Sequence, residues 1–227
     1  MGMYTKSKKM SDNISIKAGQ VSLEGNISVP EGSKGIILFA HGSGSSRLSP
    51  RNRFVAEELN KKGIATLLFD LLTPDEEEVD LQTAHLRFDI GLLARRLVDT
   101  TDWILKSPDL ASLNIGYFGA STGGAAALVA ASERPKVVKA VVSRGGRPDL
   151  AGRSLVDVKC PTLLIVGGYD EPVIELNKQA LSLLKSEKKL VIIPGATHLF
   201  EERGKLEEVA HYACDWFLKY LTEGKMK

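Results

Sequence analysis

The sequence contains few of the residues that would indicate a disulfide scaffold or a metal centre. Of its 227 residues, only two are cysteines and four are histidines. One pair of cysteines is not a disulfide framework, and neither Cys160 nor Cys214 has a further Cys or a His at metal-ligand spacing. Both cysteines fall in apolar runs, so we expect buried free thiols, no metal and no cofactor. This cysteine usage suits a reducing cytoplasm, which is the expected location.

Long apolar runs and an excess of one charge are also missing. No stretch of about 18 apolar residues is present, so the sequence predicts no membrane-spanning helix. The basic start is not followed by the apolar segment of a secretory signal, and we expect a flexible tail over residues 1–12. The 30 basic and 28 acidic residues leave a net charge of +2. A balance this even gives no attraction to nucleic acid or to an anionic membrane surface.

The sequence does contain a regular alternation of apolar strand-like runs and amphipathic helix-like segments. Continuous Val, Ile and Leu runs are typical of strands buried on both faces, as in mainly parallel sheets covered by helices. Residues 13–30 alternate in short apolar and polar steps, which predicts an antiparallel hairpin at the sheet edge. Because the alternation is unbroken, we expect a single α/β domain over residues 13–227.

The predicted elements follow one another closely after the hairpin. Helical spacing of apolar residues predicts helices over residues 52–62, 86–104, 124–131, 173–184 and 205–221. The acidic residues 75–78 are expected to lie in a solvated loop. Continuous apolar runs predict buried strands over residues 35–40, 64–69, 113–118, 137–142, 162–166 and 190–193.

Polar side chains follow the predicted strands at the point where each strand ends. In open α/β sheets, ligands bind beyond the carboxyl ends of the strands, so these side chains are expected to share one edge. Turn chemistry alone would not place so many chemically active groups at these positions. The residues are His41, Asp70, Ser121, Arg144, Asp170 and His198.

The first of these positions with a recognisable motif is Ser121. Residues 119–123, with sequence GASTG, match the nucleophile elbow G-x-S-x-G. The motif lies between a predicted strand and a predicted helix, where a tight turn projects the serine hydroxyl above the sheet. The alternative interpretation is a glycine-rich turn without chemistry. The strand–turn–helix context favours Ser121 as a nucleophile.

A serine nucleophile needs a base that accepts its proton and a carboxylate that orients this base. His198 is the best candidate base because it follows the last predicted strand in a turn. Asp170 is the candidate carboxylate, and the chain order Ser121, Asp170, His198 is that of an α/β-hydrolase triad. Glu171 is an alternative carboxylate. Asp170 could instead serve as the N-cap of the following helix.

A tetrahedral intermediate also needs two N–H donors for its oxyanion. One is expected from the amide of Thr122, at the start of the helix after the nucleophile. The other is expected from the amide of Ser43, with Gly44 as an alternative. His41, which begins this loop, is expected to hold it by hydrogen bonding or to contact the substrate.

Two arginines follow the strand after the nucleophile and are candidate substrate-binding residues. Arg144 and Arg147 could hold an anionic group of the substrate, because guanidinium groups bind carboxylates and phosphates with paired hydrogen bonds. The alternative is that they tie loops together through carboxylates such as Asp149.

These motifs together resemble the α/β-hydrolase superfamily, and within it the dienelactone-hydrolase-like branch. The resemblance covers the chain from the strand at residue 36 to the closing helix, and it rests on residues 41–44, 119–123, 168–170 and 195–198. It implies an α/β-hydrolase fold with a triad of Ser121, Asp170 and His198. Dienelactone hydrolases carry Cys as the nucleophile, so Ser121 points away from dienelactones. The short segment over residues 144–160 implies a minimal cap.

The expected function is therefore a serine carboxylesterase that cleaves small esters through an acyl-enzyme. A thioesterase or lactone hydrolase would use the same triad, and a non-catalytic binding protein would use only the fold. A phosphate-binding loop at residues 42–44 is disfavoured, because the Lys-Ser/Thr ending of a P-loop is absent. The expected partner is a small ester, with a homodimer left open.

Overall fold

The described residues form one eight-stranded sheet in the order β1-β2-β4-β3-β5-β6-β7-β8. The structure is a computed structural model that describes residues 12–222. β1 pairs with β2 and β2 with β4 in antiparallel fashion, whereas all later pairs are parallel. The strands are β1 (Asp12–Ala18), β2 (Val21–Ser28), β3 (Gly35–Ala40), β4 (Ala65–Phe69), β5 (Asn114–Ala120), β6 (Val138–Arg144), β7 (Thr162–Gly167) and β8 (Lys188–Ile193).

Helices cover both faces of this sheet, and each face has its own apolar core. On one face Leu97, Leu128 and Leu164 belong to a single buried cluster, and on the other face Leu59 and Phe217 belong to a second. The helices are α1 (Pro50–Lys61), α2 (Pro74–Thr83), α3 (Ile90–Lys106), α4 (Thr122–Glu133), α5 (Glu171–Leu183) and α6 (Lys205–Phe217), with 3-10 turns at Leu86–Phe88 and Pro148–Asp157 and a π-helical turn at Leu218–Thr222.

The structure confirms the predicted α/β architecture. Every residue of β3, β4 and β7 is buried, as expected for strands covered on both faces. The hairpin of β1 and β2 lies at one edge of the sheet. The predicted flexible tail falls outside the described residues, except for Asp12, which begins β1 and is therefore not part of a tail.

One predicted loop is in fact a helix. Residues 75–78 lie in α2, so the prediction of a solvated loop there was wrong. The Thr73 side chain accepts from the Glu76 N–H, and the Glu76 carboxylate accepts from the Thr73 N–H. This capping box, with Pro74 in the first turn, begins the helix. The helix predicted from residue 86 begins instead at Ile90, after the 3-10 turn.

Two further features concern the described residues alone. Between residues 12 and 222, no helix combines the length and the apolar character that a membrane span requires. Over the same residues, no group of three or more His, Cys, Asp or Glu side chains is placed to hold a metal ion.

Candidate active site

Ser121 occupies a strained turn between β5 and α4. Its backbone angles are φ 51° and ψ −121°, a region that residues with a Cβ rarely adopt. The turn is this tight because two glycines lack side chains. A Cβ on Gly119 would lie 2.4 Å from the Gly123 carbonyl oxygen, and one on Gly123 would lie 2.1 Å from the Ala40 oxygen. Glycine at positions 119 and 123 is therefore a steric requirement of the close approach between β5, α4 and β3.

Asp170 and His198 come together at the same edge of the sheet. Asp170 follows β7 and precedes α5, and His198 follows β8. The His198 Nδ1 lies 2.6 Å from the Asp170 Oδ2. Asp170 is the N-cap residue of α5, but its side chain makes no capping hydrogen bond, so the carboxylate is available to the imidazole. Because Nδ1 donates to Asp170, the neutral ring presents Nε2 as an acceptor.

The loop after β6 lies between Ser121 and His198. The Arg147 N–H donates to the Ser121 carbonyl oxygen at 3.1 Å. A Cβ on Gly145 would lie 3.5 Å from the His198 Cε1. Within the described part of the chain, the Ser121 hydroxyl has no hydrogen-bond partner, so it can rotate toward an acceptor.

The loop after β3 approaches Ser121 closely. A Cβ on Gly42 would lie 3.0 Å from the Ser121 Cβ, so only glycine fits here without a shift. The next N–H, that of Ser43, donates to the Thr122 hydroxyl at 3.0 Å. The Thr122 N–H is the first of α4 and has no carbonyl one turn earlier in the helix. Gly44, with φ 66°, follows in the same turn.

His41 is buried and holds this loop in place. Its Nε2 accepts from the Leu71 N–H at 3.1 Å, and its Nδ1 donates to the Gly42 carbonyl oxygen at 3.0 Å. Burial lowers the pKa of His41 below its ordinary value of 6.5. A neutral ring satisfies both bonds, because one nitrogen donates and the other accepts. In this structure both ring nitrogens of His41 are already engaged by the backbone.

The two candidate arginines have different surroundings. Arg147 forms a two-pronged ion pair with Asp149, at 2.8 and 2.9 Å, within its own loop. Arg144 ends β6 and is buried, and its Nη2 lies 3.4 Å from the Asn52 side-chain oxygen. The structure therefore places Arg144, but not Arg147, away from any neutralising carboxylate among the described residues.

A cavity of about 220 Å³ adjoins the loop after β3. The ion pair between Asp80 and Arg87 forms part of its wall, and Asp80 belongs to the unpredicted helix α2. The signal that could have revealed α2 is the sequence TPDE at residues 73–76, which matches a capping box with proline in the first turn. No local pattern marks the Asp80–Arg87 pair. Lining residues include His41, Ser43, Leu71, Asp80, Arg87 and Leu93.

Comparison with known families agrees with this geometry. Residues 23–222 match the dienelactone hydrolase family. The chain belongs to this family. The crystal structure of a dienelactone hydrolase from Anabaena variabilis is 64% identical, with a TM-score of 0.92, over 93% of this chain and 98% of that one. The expected resemblance is thus confirmed for both the family and the α/β-hydrolase fold.

Solved structures of much lower identity share the fold. An α/β serine hydrolase without lid from Xanthomonas campestris is 19% identical, with a TM-score of 0.74, over 96% of this chain and 98% of that one. Identity this low shows similarity of fold alone.

Two curated relatives are about twice as long as the matched segment. They come from two strains of Mycobacterium tuberculosis and are named as candidate phosphoribosyl transferases. Each is 58% identical over 210 residues, which cover 92% of this chain but 46% of the relative. The chain therefore spans about half the length of these proteins.

Proposed function

We propose that this member of the dienelactone hydrolase family is a serine carboxylesterase that acts on small carboxylic esters. The observation that carries the proposal is the 2.6 Å contact between His198 and Asp170 at the sheet edge where Ser121 sits in its strained turn. The strain supports a catalytic role, because unusual backbone angles at an apex of this kind cost about 1–3 kcal/mol and persist mainly at functional sites.

In the proposed reaction, the Ser121 Oγ attacks the ester carbonyl carbon while its proton moves to the His198 Nε2. Asp170 holds the imidazole through Nδ1 and stabilises the imidazolium that forms. The carbon–oxygen bond to the alcohol then breaks, and His198 returns the proton to the leaving alkoxide. A water molecule, deprotonated by His198, attacks the acyl-enzyme. The acid leaves and Ser121 recovers its proton.

The oxyanion of each tetrahedral intermediate would be bound by the amides of Thr122 and Ser43. The close approach of Gly42 to Ser121 supports this assignment, because it brings the next N–H group to the nucleophile. In the resting structure the Ser43 N–H donates to the Thr122 hydroxyl, so it must turn to the oxyanion during the reaction. The Gly44 N–H is the alternative donor. Each such donor contributes on the order of 3 kcal/mol to catalysis.

The names of the longer relatives do not favour a transferase for this chain. The name phosphoribosyl transferase describes proteins of which this chain spans about half, whereas the hydrolase family covers residues 23–222. Thioesters and lactones remain alternative substrates, because the same triad would cleave them. A location in the cytoplasm, a small ester as partner and the absence of nucleic-acid or membrane partners also belong to this proposal.

Replacing the nucleophile tests the proposal directly. Ser121→Ala removes the attacking oxygen, so turnover of p-nitrophenyl acetate and butyrate should fall by at least about 10³-fold. The melting temperature should be unchanged, because alanine keeps the Cβ and the Ser121 hydroxyl has no hydrogen-bond partner in the described part of the chain. Ser132→Ala, at the far end of α4 and 11 residues along the chain, is the matched control and should keep full turnover. Full activity of Ser121→Ala would overturn the mechanism.

A fluorophosphonate probe separates an esterase from a non-catalytic binding protein. The probe esterifies only a serine that a neighbouring base activates. We expect one adduct on Ser121, detected by mass spectrometry of the digested protein, and none on the Ser121→Ala variant. An unlabelled wild-type protein that binds esters without cleaving them would instead support the binding protein.

A further inference from the structure

Arg144 is a buried cation that no carboxylate of residues 12–222 pairs with. Its side chain ends β6, and the residue is 6% exposed. Nη2 lies 3.4 Å from the Asn52 oxygen, which is a weak contact, and Nε is enclosed with no partner. Burial and the neighbouring charge of Arg51 lower the pKa of Arg144 to about 10. The guanidinium thus carries a desolvation cost that no anion of the described chain offsets.

Other arginines of the described chain form ion pairs with carboxylates. Arg96, which is 9% exposed, forms an ion pair with Glu76. Arg47 pairs with Asp70, and Arg147 pairs with Asp149. Buried charges are normally paired, so the isolation of Arg144 among the described residues is an exception.

A second arginine and a helix end lie beside Arg144. Arg51 is the second residue of α1, and its charge is close enough to act on the Arg144 guanidinium. Arg51 donates to Glu201 through Nη1, but its Nε is also enclosed without a partner. The first turn of α1 adds the positive end of a helix dipole. This location thus combines three features. It has one positive charge that no described carboxylate compensates, two Nε–H groups without a partner in the described chain, and the N-terminus of a helix.

This arginine pair is connected to the catalytic edge of the sheet. The Arg144 carbonyl oxygen accepts the Ser121 N–H at 3.2 Å. The Arg144 Cζ lies 6.0 Å from the centre of the Phe200 ring, and Phe200 is two residues beyond His198. Phe200 is buried with φ 58°, an unfavourable angle for a bulky residue. Strain and an unpaired charge next to the His198 loop both suggest a site that is completed by a ligand.

We propose that Arg144 and Arg51 form an oxyanion-binding subsite that holds a carboxylate or phosphate group of the ester substrate. This inference rests on the proposed esterase function and narrows its substrates to esters with an anionic substituent. Paired N–H donors on guanidinium groups match the geometry of both anions.

Kinetics with paired substrates test the subsite. The panel contains the neutral methyl 4-acetoxybenzoate and the anionic 4-acetoxybenzoate and 4-acetoxyphenyl phosphate. Neutral diethyl succinate and anionic monoethyl succinate form a second pair, in which the charge lies on the acyl side. Acid release is followed in a pH-stat. Arg144→Met should lower kcat/KM for the preferred anionic ester by about 10- to 100-fold and leave the neutral esters within about twofold.

Arg53→Met is the matched control for this experiment. Arg53 is exposed and lies two residues from Arg51 on α1. Its replacement therefore removes one positive charge near the proposed subsite and leaves Arg51 and Arg144 in place. It should leave all five rates unchanged. An equal loss on neutral and anionic esters in Arg144→Met would show that Arg144 only positions the His198 loop, and would overturn the subsite.

A binding measurement separates this proposal from the proposed function. Inorganic phosphate or succinate, compared with NaCl at equal ionic strength, should raise the melting temperature of the wild type by about 2–4 °C. Arg144→Met and Arg51→Met should each lose this rise, and the second variant covers the case in which the first does not fold. An Arg144-dependent rise in a protein without esterase activity would refute the function alone. Ester turnover without any anion preference or anion-dependent rise would refute the subsite alone.

Discussion

His41 and His198 both follow the carboxyl end of a strand, but their surroundings give them different chemistry. The His198 side chain is 38% exposed and contacts a carboxylate through Nδ1, and Nε2 takes no part in that contact. His41 is buried, and both of its nitrogens bond to backbone groups. The roles expected of the two histidines thus depend on a few contacts at each ring.

The burial of His41 predicts a pH dependence of stability. Its pKa is lowered in the folded protein, so below about pH 6.5 the unfolded chain binds a proton that the folded protein does not. The free energy of unfolding should therefore fall as pH falls from 7 to 5, by at most about 1.4 kcal/mol per pH unit from this group. His41→Gln keeps a donor and an acceptor but cannot take up a proton. Its free energy of unfolding should therefore fall less between pH 7 and pH 5 than that of the wild type.

Urea unfolding at pH 7 and pH 5 measures this difference. His211→Gln is the control, because it removes a histidine whose side chain is 72% exposed, whereas His41 is buried. Identical losses in wild type and His41→Gln would show that His41 does not contribute to the acid sensitivity.

At the scale of elements, α2 shows how a short polar helix is stabilised. Its apolar face is weak, since Asp80 is its buried residue. The capping box at Thr73 satisfies N–H groups of the first turn, and Glu76 also pairs with Arg96 of α3. Polar contacts at the helix start, rather than an apolar stripe, hold α2 beside the cavity.

Removing the cap should loosen α2 selectively. Thr73→Ala leaves the Glu76 N–H without its acceptor and should destabilise the helix by about 1 kcal/mol. Amide hydrogen exchange of residues 76–83 should become about fivefold faster, while amides of β5 keep their protection. Thr83→Ala, at the other end of the helix, is the control and should have little effect. Unchanged exchange in Thr73→Ala would mean that the Arg96 contact alone maintains the helix.

At the scale of the whole molecule, one sheet separates two cores that each contain a buried cysteine. Cys160 belongs to the cluster with Leu97 and Leu128, and Cys214 to the cluster with Leu59 and Phe217. Burial raises the pKa of Cys160 to about 12 and that of Cys214 to about 11. Both are free thiols in separate layers, so each reports on its own core.

Thiol labelling tests whether the two cores unfold together. Iodoacetamide at pH 8 should leave both cysteines unmodified in the native protein, because they are buried and protonated. In increasing urea, both should label with the same midpoint if residues 13–227 are the single domain that we predict. Cys160→Ala and Cys214→Ala assign each signal. Labelling of one cysteine at a clearly lower urea concentration would divide the chain into two units.

The local features of the site could be predicted from the sequence because their causes are local. The GASTG motif requires a close crossing of strand and helix, and Gly119 and Gly123 make that crossing possible. The apolar runs predicted the buried strands to within a few residues. Helix α2 was missed because its stabilising contacts are polar and its apolar periodicity is weak.

The sequence by itself determined the order of the strands and of the helices other than α2, the turn at Ser121 and the positions of Asp170 and His198 after strands. Only the tertiary structure decided that Asp170 bonds to His198 instead of capping α5, and that Arg147 is paired whereas Arg144 is not. Hydrogen bonding and charge balance depend on neighbours distant along the chain, such as Asn52 and Phe200 around Arg144. Folding brings these groups together, and no local pattern encodes their distances.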